Sequence, residues 1–166
     1  MTKLAADLYL PLIISNILHM FVVKRDLLSF LKIPISEAQF GKNKTYRGII
    51  FVGSITSVCY GVLTYRENQL SPYLIGFILG LTYSLFELPN SWLKRLNGIA
   101  PGTKPKDRTY LFTFFDKTDS AFGVALIYTF LFQQSFVEFL FLFTFASILH
   151  LVFSYLFLKI KIKESL

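Results

Sequence analysis

The sequence has few of the features that divide or cross-link a chain. Its 166 residues include one Cys, and 16% are Asp, Glu, Lys or Arg. One Cys excludes an intrachain disulfide, and Cys59 falls in the middle of an apolar run, where it is expected to be a small packing residue. Low-complexity tracts, internal repeats and an appended soluble region are also missing. We therefore expect one domain over residues 1–166.

Apolar residues are abundant instead. Of all residues 54% are hydrophobic, 19 are Phe, and the mean hydropathy is +0.54. This exceeds what a soluble domain of this length can bury. The expected solvent for much of the surface is therefore lipid.

Five apolar runs have the length of membrane-spanning helices, at residues 4–23, 48–65, 72–88, 116–132 and 137–158. They lack the alternation of barrel strands, and lipid offers no partners for free backbone groups, so helices are expected. No small-residue cleavage site follows the first run, which ends at Lys24 and Arg25, so we expect a retained helix and not a signal peptide. The predicted fold class is an all-α integral membrane protein of about five helices.

The basic residues predict the orientation. One face carries 15 of the 17 Lys and Arg residues, against Lys3 and Arg66 on the other. The positive-inside rule makes the first face cytoplasmic, with the N-terminus outside and the C-terminus inside a cell membrane. Topology and anionic lipids account for much of the net charge of +7. Nucleic acid is not an expected partner, because the basic loops are short and carry no recognisable binding module.

The first cytoplasmic loop ends in a phosphate-binding pattern. Lys44, Thr45 and Arg47 lie between Gly41 and Gly48, directly before the second span. Cations and a hydroxyl at a helix N-terminus suit an anion, because free N–H groups and the helix dipole point at it. The alternative is a loop whose basic side chains reach the lipid surface.

The second loop begins with a carboxylate at the membrane boundary. If the helix continues through Pro89, then Glu87, Ser91, Lys94 and Arg95 fall on one helix face. A carboxylate at this depth is costly without a partner. The alternative is an interfacial helix with a basic end.

The fourth span opens with two carboxylates. Asp116 and Asp119 are three residues apart, share a helix face, and can jointly hold a hard cation such as Mg²⁺. The alternative is that Asp116 caps the helix and Asp119 favours the dipole of its first turn. In the last span, His150 is expected to make an interhelical hydrogen bond.

Together these motifs resemble the CDP-archaeol synthase family of CTP-dependent cytidylyltransferases and, more distantly, the CDP-diglyceride synthetases. The matching elements are residues 44–48, the string from Glu87 to Arg95, and the paired aspartates. They occur in the family's order, and the resemblance covers nearly the whole chain. The family shows Gly-Asp where this chain has Phe86 and Glu87, and the His-Gly-Gly of the larger diglyceride synthetases is missing before Asp116.

The resemblance implies transfer of CMP from CTP to a lipid phosphomonoester of the archaetidic acid type, 2,3-bis-O-geranylgeranylglycerol 1-phosphate. The lipid phosphate is already an anion, so positioning and charge neutralisation suffice without a general base. Mg²⁺ would be bound by Asp116, Asp119 and Glu87. The implied phosphate-binding residues are Lys44, Thr45, Arg47, Ser91, Lys94 and Arg95. The site would be a cytoplasmic cleft, open sideways to the bilayer.

Three alternatives remain at this point. A phosphatidate cytidylyltransferase would use the same chemistry on an ester lipid. A CTP-dependent polyprenol or lipid kinase would use similar residues but transfer the γ-phosphate. A small anion channel or membrane scaffold would have basic vestibules without needing paired aspartates.

Overall fold

A computed structural model describes residues 2–64, 71–103 and 109–159. This part of the chain is helical apart from loops and one isolated β-bridge between Pro34 and Thr45. The helices are α1 Thr2–Lys24, α2 Glu37–Phe40, α3 Tyr46–Thr64, α4 Pro72–Leu96, α5 Thr109–Leu131 and α6 Phe136–Lys159. The basic residues Arg66, Lys104, Lys106, Arg108, Lys161 and Lys163 lie outside the described residues.

Four helices, α1, α3, α4 and α6, are long and apolar enough to cross a membrane. The chain is therefore a helical membrane-embedded protein. Helix α5 has 23 residues, enough for a bilayer, but it carries three charged residues, Asp116, Lys117 and Asp119, and is not among the four. A fifth span at α5 and the orientation of the bundle stay predictions.

Helices α3 and α4 form the most extensive interface of the bundle. Their backbones approach closely because small residues meet there. A Cβ on Gly80 would lie 2.8 Å from the Val52 carbonyl oxygen, and one on Gly76 would lie 2.7 Å from that of Thr56. Small residues permit such contacts between helices in lipid, where van der Waals packing drives association.

Helix α1 is joined to the bundle by polar contacts, among them one to α3 and one to α6, as well as by apolar packing. The Ser15 and Thr56 hydroxyls are 2.9 Å apart and link α1 to α3. The Tyr9 hydroxyl donates to the Leu142 carbonyl of α6 at 3.0 Å. Buried Leu8 belongs to the core cluster that these helices share with α4 and α5.

Helix α4 runs without interruption through Pro89 and ends at Leu96. Gly98 then adopts a left-handed conformation, with φ 69°, which suits the residue after a helix end. Its N–H donates to the Arg95 carbonyl at 3.0 Å, and the next N–H, of Ile99, donates to that of Lys94 at 3.0 Å. The continuous helix places Glu87, Ser91, Lys94 and Arg95 on one face, facing the centre of the bundle.

Candidate functional site

A cavity of about 460 Å³ opens at the basic end of the bundle, between α1, α4, α5 and α6. Its polar lining comes mainly from α4 and α5, and its apolar lining mainly from α1 and α6. The size is in the range of a site for one small ligand, roughly 300–1,000 Å³. Seven of the nine predicted site residues line it: Lys44, Glu87, Ser91, Lys94, Arg95, Asp116 and Asp119.

Two ion pairs cross the polar side of the cavity. The Lys94 ammonium donates to both carboxylate oxygens of Asp116, and the Lys44 ammonium donates to Glu87. Asn90, buried on α4, donates to Asp116 as well, at 2.6 Å. Lys94 and Lys44 are therefore each neutralised by a carboxylate of the predicted site.

Lys44 lies at the centre of this charge arrangement. Burial by itself lowers the pKa of an amine, but the nearby Glu87 carboxylate outweighs it, and Asp119 and Asp116 add to the effect. The net result is that the pKa of Lys44 is raised above its ordinary value. Lys44 is therefore a fixed positive charge at neutral pH, surrounded by all three predicted metal ligands.

Arg95 presents hydrogen-bond donors that the described residues do not satisfy. Its Nε and Nη1 atoms are buried and have no hydrogen-bond partner in the described ranges. The guanidinium packs beside Gly41, where an added Cβ would lie 3.6 Å from Nη1. Buried guanidinium N–H groups are costly to leave unpaired and prefer carboxylate or phosphate oxygens. The side chain is thus prepared for an anion.

Thr45 and Arg47, the other two predicted residues, border a second cavity of about 300 Å³ that shares Lys44 and Glu87 with the first. Arg47 is 4% exposed. Its Nη1 donates to Asp26 at 2.9 Å and to the Leu27 carbonyl at 3.0 Å. Hydrogen bonds from Lys32 and then from Arg47 hold the pKa of Asp26 below its ordinary value. In this structure Arg47 anchors the loop after α1.

Asp116 lies well inside α5, because this helix begins at Thr109 and not at Asp116. The capping alternative for Asp116 is therefore wrong. Asp119 lies one turn further on, also lines the cavity, and accepts a hydrogen bond from the backbone N–H of Ser120 at 2.6 Å. Both carboxylates face the cavity from within a helix, so the helix N-terminus does not explain them.

The donor set fits a metal ion only if a substrate completes its coordination. Within the described ranges, no three His, Cys, Asp or Glu side chains group closely enough to hold a metal by themselves. Glu87 and Asp116 are each ion-paired with a lysine, so a metal bound by the two aspartates of α5 would have to take Asp116 from Lys94. Mg²⁺ commonly uses one or two protein carboxylates and takes its remaining ligands from phosphates and water. The set therefore suits a metal that binds together with a phosphorylated ligand.

Several cavity residues are absent from the motifs read in the sequence. Asn16 of α1 donates to the Tyr83 hydroxyl of α4 at 2.9 Å, and both line the cavity. Lys117 is buried between α5 and α6. The predicted interhelical hydrogen bond of His150 is confirmed: its Nδ1 lies 3.1 Å from the Lys117 carbonyl oxygen. Asn16, Tyr83 and His150 are polar residues inside apolar runs, and Lys117 stands between the two aspartates of α5.

The fold and cavity define a helical membrane protein with a charged site at one end of its bundle. Comparison with known protein families, with curated proteins and with solved structures finds no match.

Proposed function

We propose that this protein transfers CMP from CTP to a membrane lipid phosphomonoester of the archaetidic acid type, forming a CDP-activated lipid and pyrophosphate. The observation that carries the proposal is the division of one cavity into a charged side and an apolar side. A lipid phosphate has a charged head and apolar chains, which match the two sides of the cavity, and a nucleoside triphosphate matches the charged side. A ligand made of phosphate alone would leave the apolar side without a partner.

The reaction is an in-line displacement at the α-phosphorus of CTP. An oxygen of the lipid phosphate forms the new P–O bond, and the bond to the β-phosphate oxygen breaks, so its electron pair leaves with pyrophosphate. The lipid phosphate attacks as an anion and no proton has to be moved. Catalysis then comes from positioning and charge neutralisation, which agrees with a site rich in Lys, Arg and Asp.

The residues have distinct roles in this proposal. Asp116 and Asp119 would hold Mg²⁺, which neutralises charge on the triphosphate and on the leaving group. Lys44, Lys94 and Arg95 bind phosphate oxygens, with Ser91 beside them on α4. Glu87 orients Lys44 through their ion pair, and its role as a metal ligand stays a prediction.

The two ion pairs support binding of metal and nucleotide as one unit. A free anion would have to take Lys94 away from Asp116 and leave the carboxylate unpaired. A metal–triphosphate complex offers a cation to Asp116 and phosphate oxygens to Lys94 at the same time. Both groups exchange one partner of opposite charge for another, so neither is left uncompensated in the cavity.

The test uses purified protein reconstituted in lipid nanodiscs, with CTP labelled at the α- or the γ-phosphate. Archaetidic acid-type and diacyl phosphatidic acid acceptors are compared at equal membrane content. We expect α-label in the ether lipid together with release of pyrophosphate. Transfer of the γ-label to the lipid would identify a lipid kinase. Preference for the diacyl acceptor would identify a phosphatidate cytidylyltransferase. No transfer, together with ion flux in vesicles, would identify a channel.

A further inference from the structure

The second cavity, of about 300 Å³, lies between α1, α3, α4 and the loop before α3, and the proposed reaction leaves it without a ligand. Its lining includes four basic side chains, those of Lys32, Lys42, Lys44 and Arg47, and one carboxylate, that of Glu87. A second carboxylate, Asp26, contacts Lys32 and Arg47 without lining the cavity. Four cations therefore face two carboxylates, and this excess of positive charge favours an anionic ligand.

The positive-inside rule does not account for all of this charge. That rule asks only for basic residues near the headgroups, and such side chains normally keep their charged ends in water. Arg47 is instead 4% exposed, and its Nε is buried without a hydrogen-bond partner among the described residues. Its Nη1 is held by Asp26 and by the Leu27 carbonyl, so the guanidinium is fixed while Nε keeps an unused N–H. A buried guanidinium N–H is costly to leave unpaired, and phosphate or carboxylate oxygens satisfy it well.

Neutral polar groups complete the lining of the second cavity. Asn43 and Thr45 contribute an amide and a hydroxyl from the loop before α3. The ring of His19 lies against the start of α3, 3.4 Å from the position of an added Cβ on Gly48. A phosphate group has three or more acceptor oxygens, whereas a carboxylate has two, so phosphate matches this larger set of donors better.

We propose that the second cavity is a phosphate-binding site separate from the first, lined by Lys42, Lys44 and Arg47. Both cavities include Lys44, so a phosphate in the second site lies next to the nucleotide that the proposed function places in the first. Two sources of this phosphate rest on the proposed function: the pyrophosphate that the reaction releases, and the head group of a lipid phosphomonoester. The site itself is inferred from its lining.

The experiment measures binding by isothermal titration calorimetry, with the protein in nanodiscs of zwitterionic lipid and without CTP or metal. Inorganic pyrophosphate and a short-chain lipid phosphomonoester are titrated separately, and empty nanodiscs provide the blank. Lys42→Met and Lys42→Glu change a cation that lines only the second cavity. Lys24→Met and Lys24→Glu are the matched controls, because Lys24 is exposed at the end of α1 and lines neither cavity.

Lys42→Met should weaken binding of at least one probe about threefold to tenfold, and Lys42→Glu should weaken it further, because a charge-assisted contact is lost and then reversed. The Lys24 variants should stay within about twofold of wild type. A loss confined to pyrophosphate identifies the released product as the ligand, and a loss confined to the lipid identifies its head group. Unchanged binding of both probes in the Lys42 variants, or an equal loss in the Lys24 variants, overturns the site.

Lys94→Met shows whether the anion binds in the first cavity instead, because Lys94 lines only that cavity. If Lys94→Met weakens binding of the probes and Lys42→Met does not, the proposal fails. Thermal unfolding is measured for every variant, and little change is expected for Lys42, which is exposed. If wild type transfers no CMP from labelled CTP, the proposed function fails, and the titrations still decide whether the second cavity binds phosphate.

Discussion

Asp116 and Lys94 form an ion pair that links two helices across the candidate site. Their ion pair spans α4 and α5 and is supported by Asn90. Lys94 is mostly shielded, whereas the Asp116 side chain is 43% exposed. An ion pair whose carboxylate is exposed to solvent contributes little to stability, about 0–1 kcal/mol. It can therefore be exchanged for a metal and a phosphate.

Asp116→Asn and Asp119→Asn should each lower CMP transfer by orders of magnitude and raise the Mg²⁺ concentration required. Asn keeps the size of the side chain but removes a charge from the proposed metal ligands. Both positions lie inside α5, so a lost helix cap is not involved. Transfer is measured across a Mg²⁺ titration, together with thermal unfolding in detergent.

Asp7→Asn, in α1 and away from the lining of the cavity, is the control and should behave as wild type. Near-normal activity at low Mg²⁺ in both aspartate variants contradicts the metal role. A fall in thermal stability that matches the loss of activity favours a structural role.

At the scale of elements, the loop after α1 is attached to α3 through Arg47. One guanidinium nitrogen accounts for both contacts, to the Asp26 carboxylate and to the Leu27 carbonyl. The predicted phosphate-binding role of Arg47 stays a prediction. The same side chain has an alternative role as an anchor of the loop after α1. The anchoring role predicts that its loss lowers stability, and the phosphate-binding role predicts that its loss raises the CTP KM.

Arg47→Met should reduce stability by roughly 1.5–3 kcal/mol, the usual range for hydrogen bonds to a charged group. Its effect on the CTP KM should be smaller than that of Lys94→Met. Asp26→Asn should be milder, because Asp26 is exposed and the Leu27 carbonyl remains. Unchanged thermal unfolding with a CTP KM as high as that of Lys94→Met would instead identify Arg47 as a phosphate ligand.

The interface between α3 and α4 tolerates no side chain at its closest point. Gly80→Ala should destabilise the bundle by about 1–3 kcal/mol, because the new Cβ would overlap the Val52 carbonyl. Gly48→Ala, where the nearest atom is a His19 ring atom at 3.4 Å, is the matched control. We expect a change within about 1 kcal/mol there. Equal thermal midpoints for the two variants in detergent would refute this account of the interface.

For the whole molecule, the start of α3 and the end of α4 lie at the same end of the bundle. The loop before α3 carries Lys42 and Lys44, and the end of α4 carries Lys94 and Arg95. The start of α4 and the turn between α5 and α6 lie at the opposite end. The positive-inside rule predicts that the end that contains the cavity faces the cytoplasm.

Topology can be tested with two exposed positions in a Cys59→Ala background. A membrane-impermeant thiol reagent added to intact cells should label Ser71→Cys and leave Lys42→Cys unmodified. Permeabilised cells, in which both should react, provide the control. Labelling of Lys42→Cys in intact cells would place the cavity outside and remove access to cellular CTP.

Local composition was enough to predict the helices and the grouping of the charged motifs. Long apolar runs must form helices in lipid, so α1, α3, α4 and α6 follow from hydropathy. The start of α5 was missed by seven residues, although residues 109–115 are uncharged and mostly aromatic or aliphatic. The prediction placed the start of the span at the charged motif, whereas the helix begins before it.

The sequence alone determined the class of molecule, an apolar helical chain with three charged motifs, because hydropathy and motif spacing are local properties. Only the tertiary structure decided how those charges are paired. It placed Lys94 on Asp116, Lys44 on Glu87 and Arg47 on Asp26. It also turned Lys117 towards Ser154 and into the cavity wall. Pairing depends on which helix faces are neighbours, and that follows from packing between segments far apart in the chain.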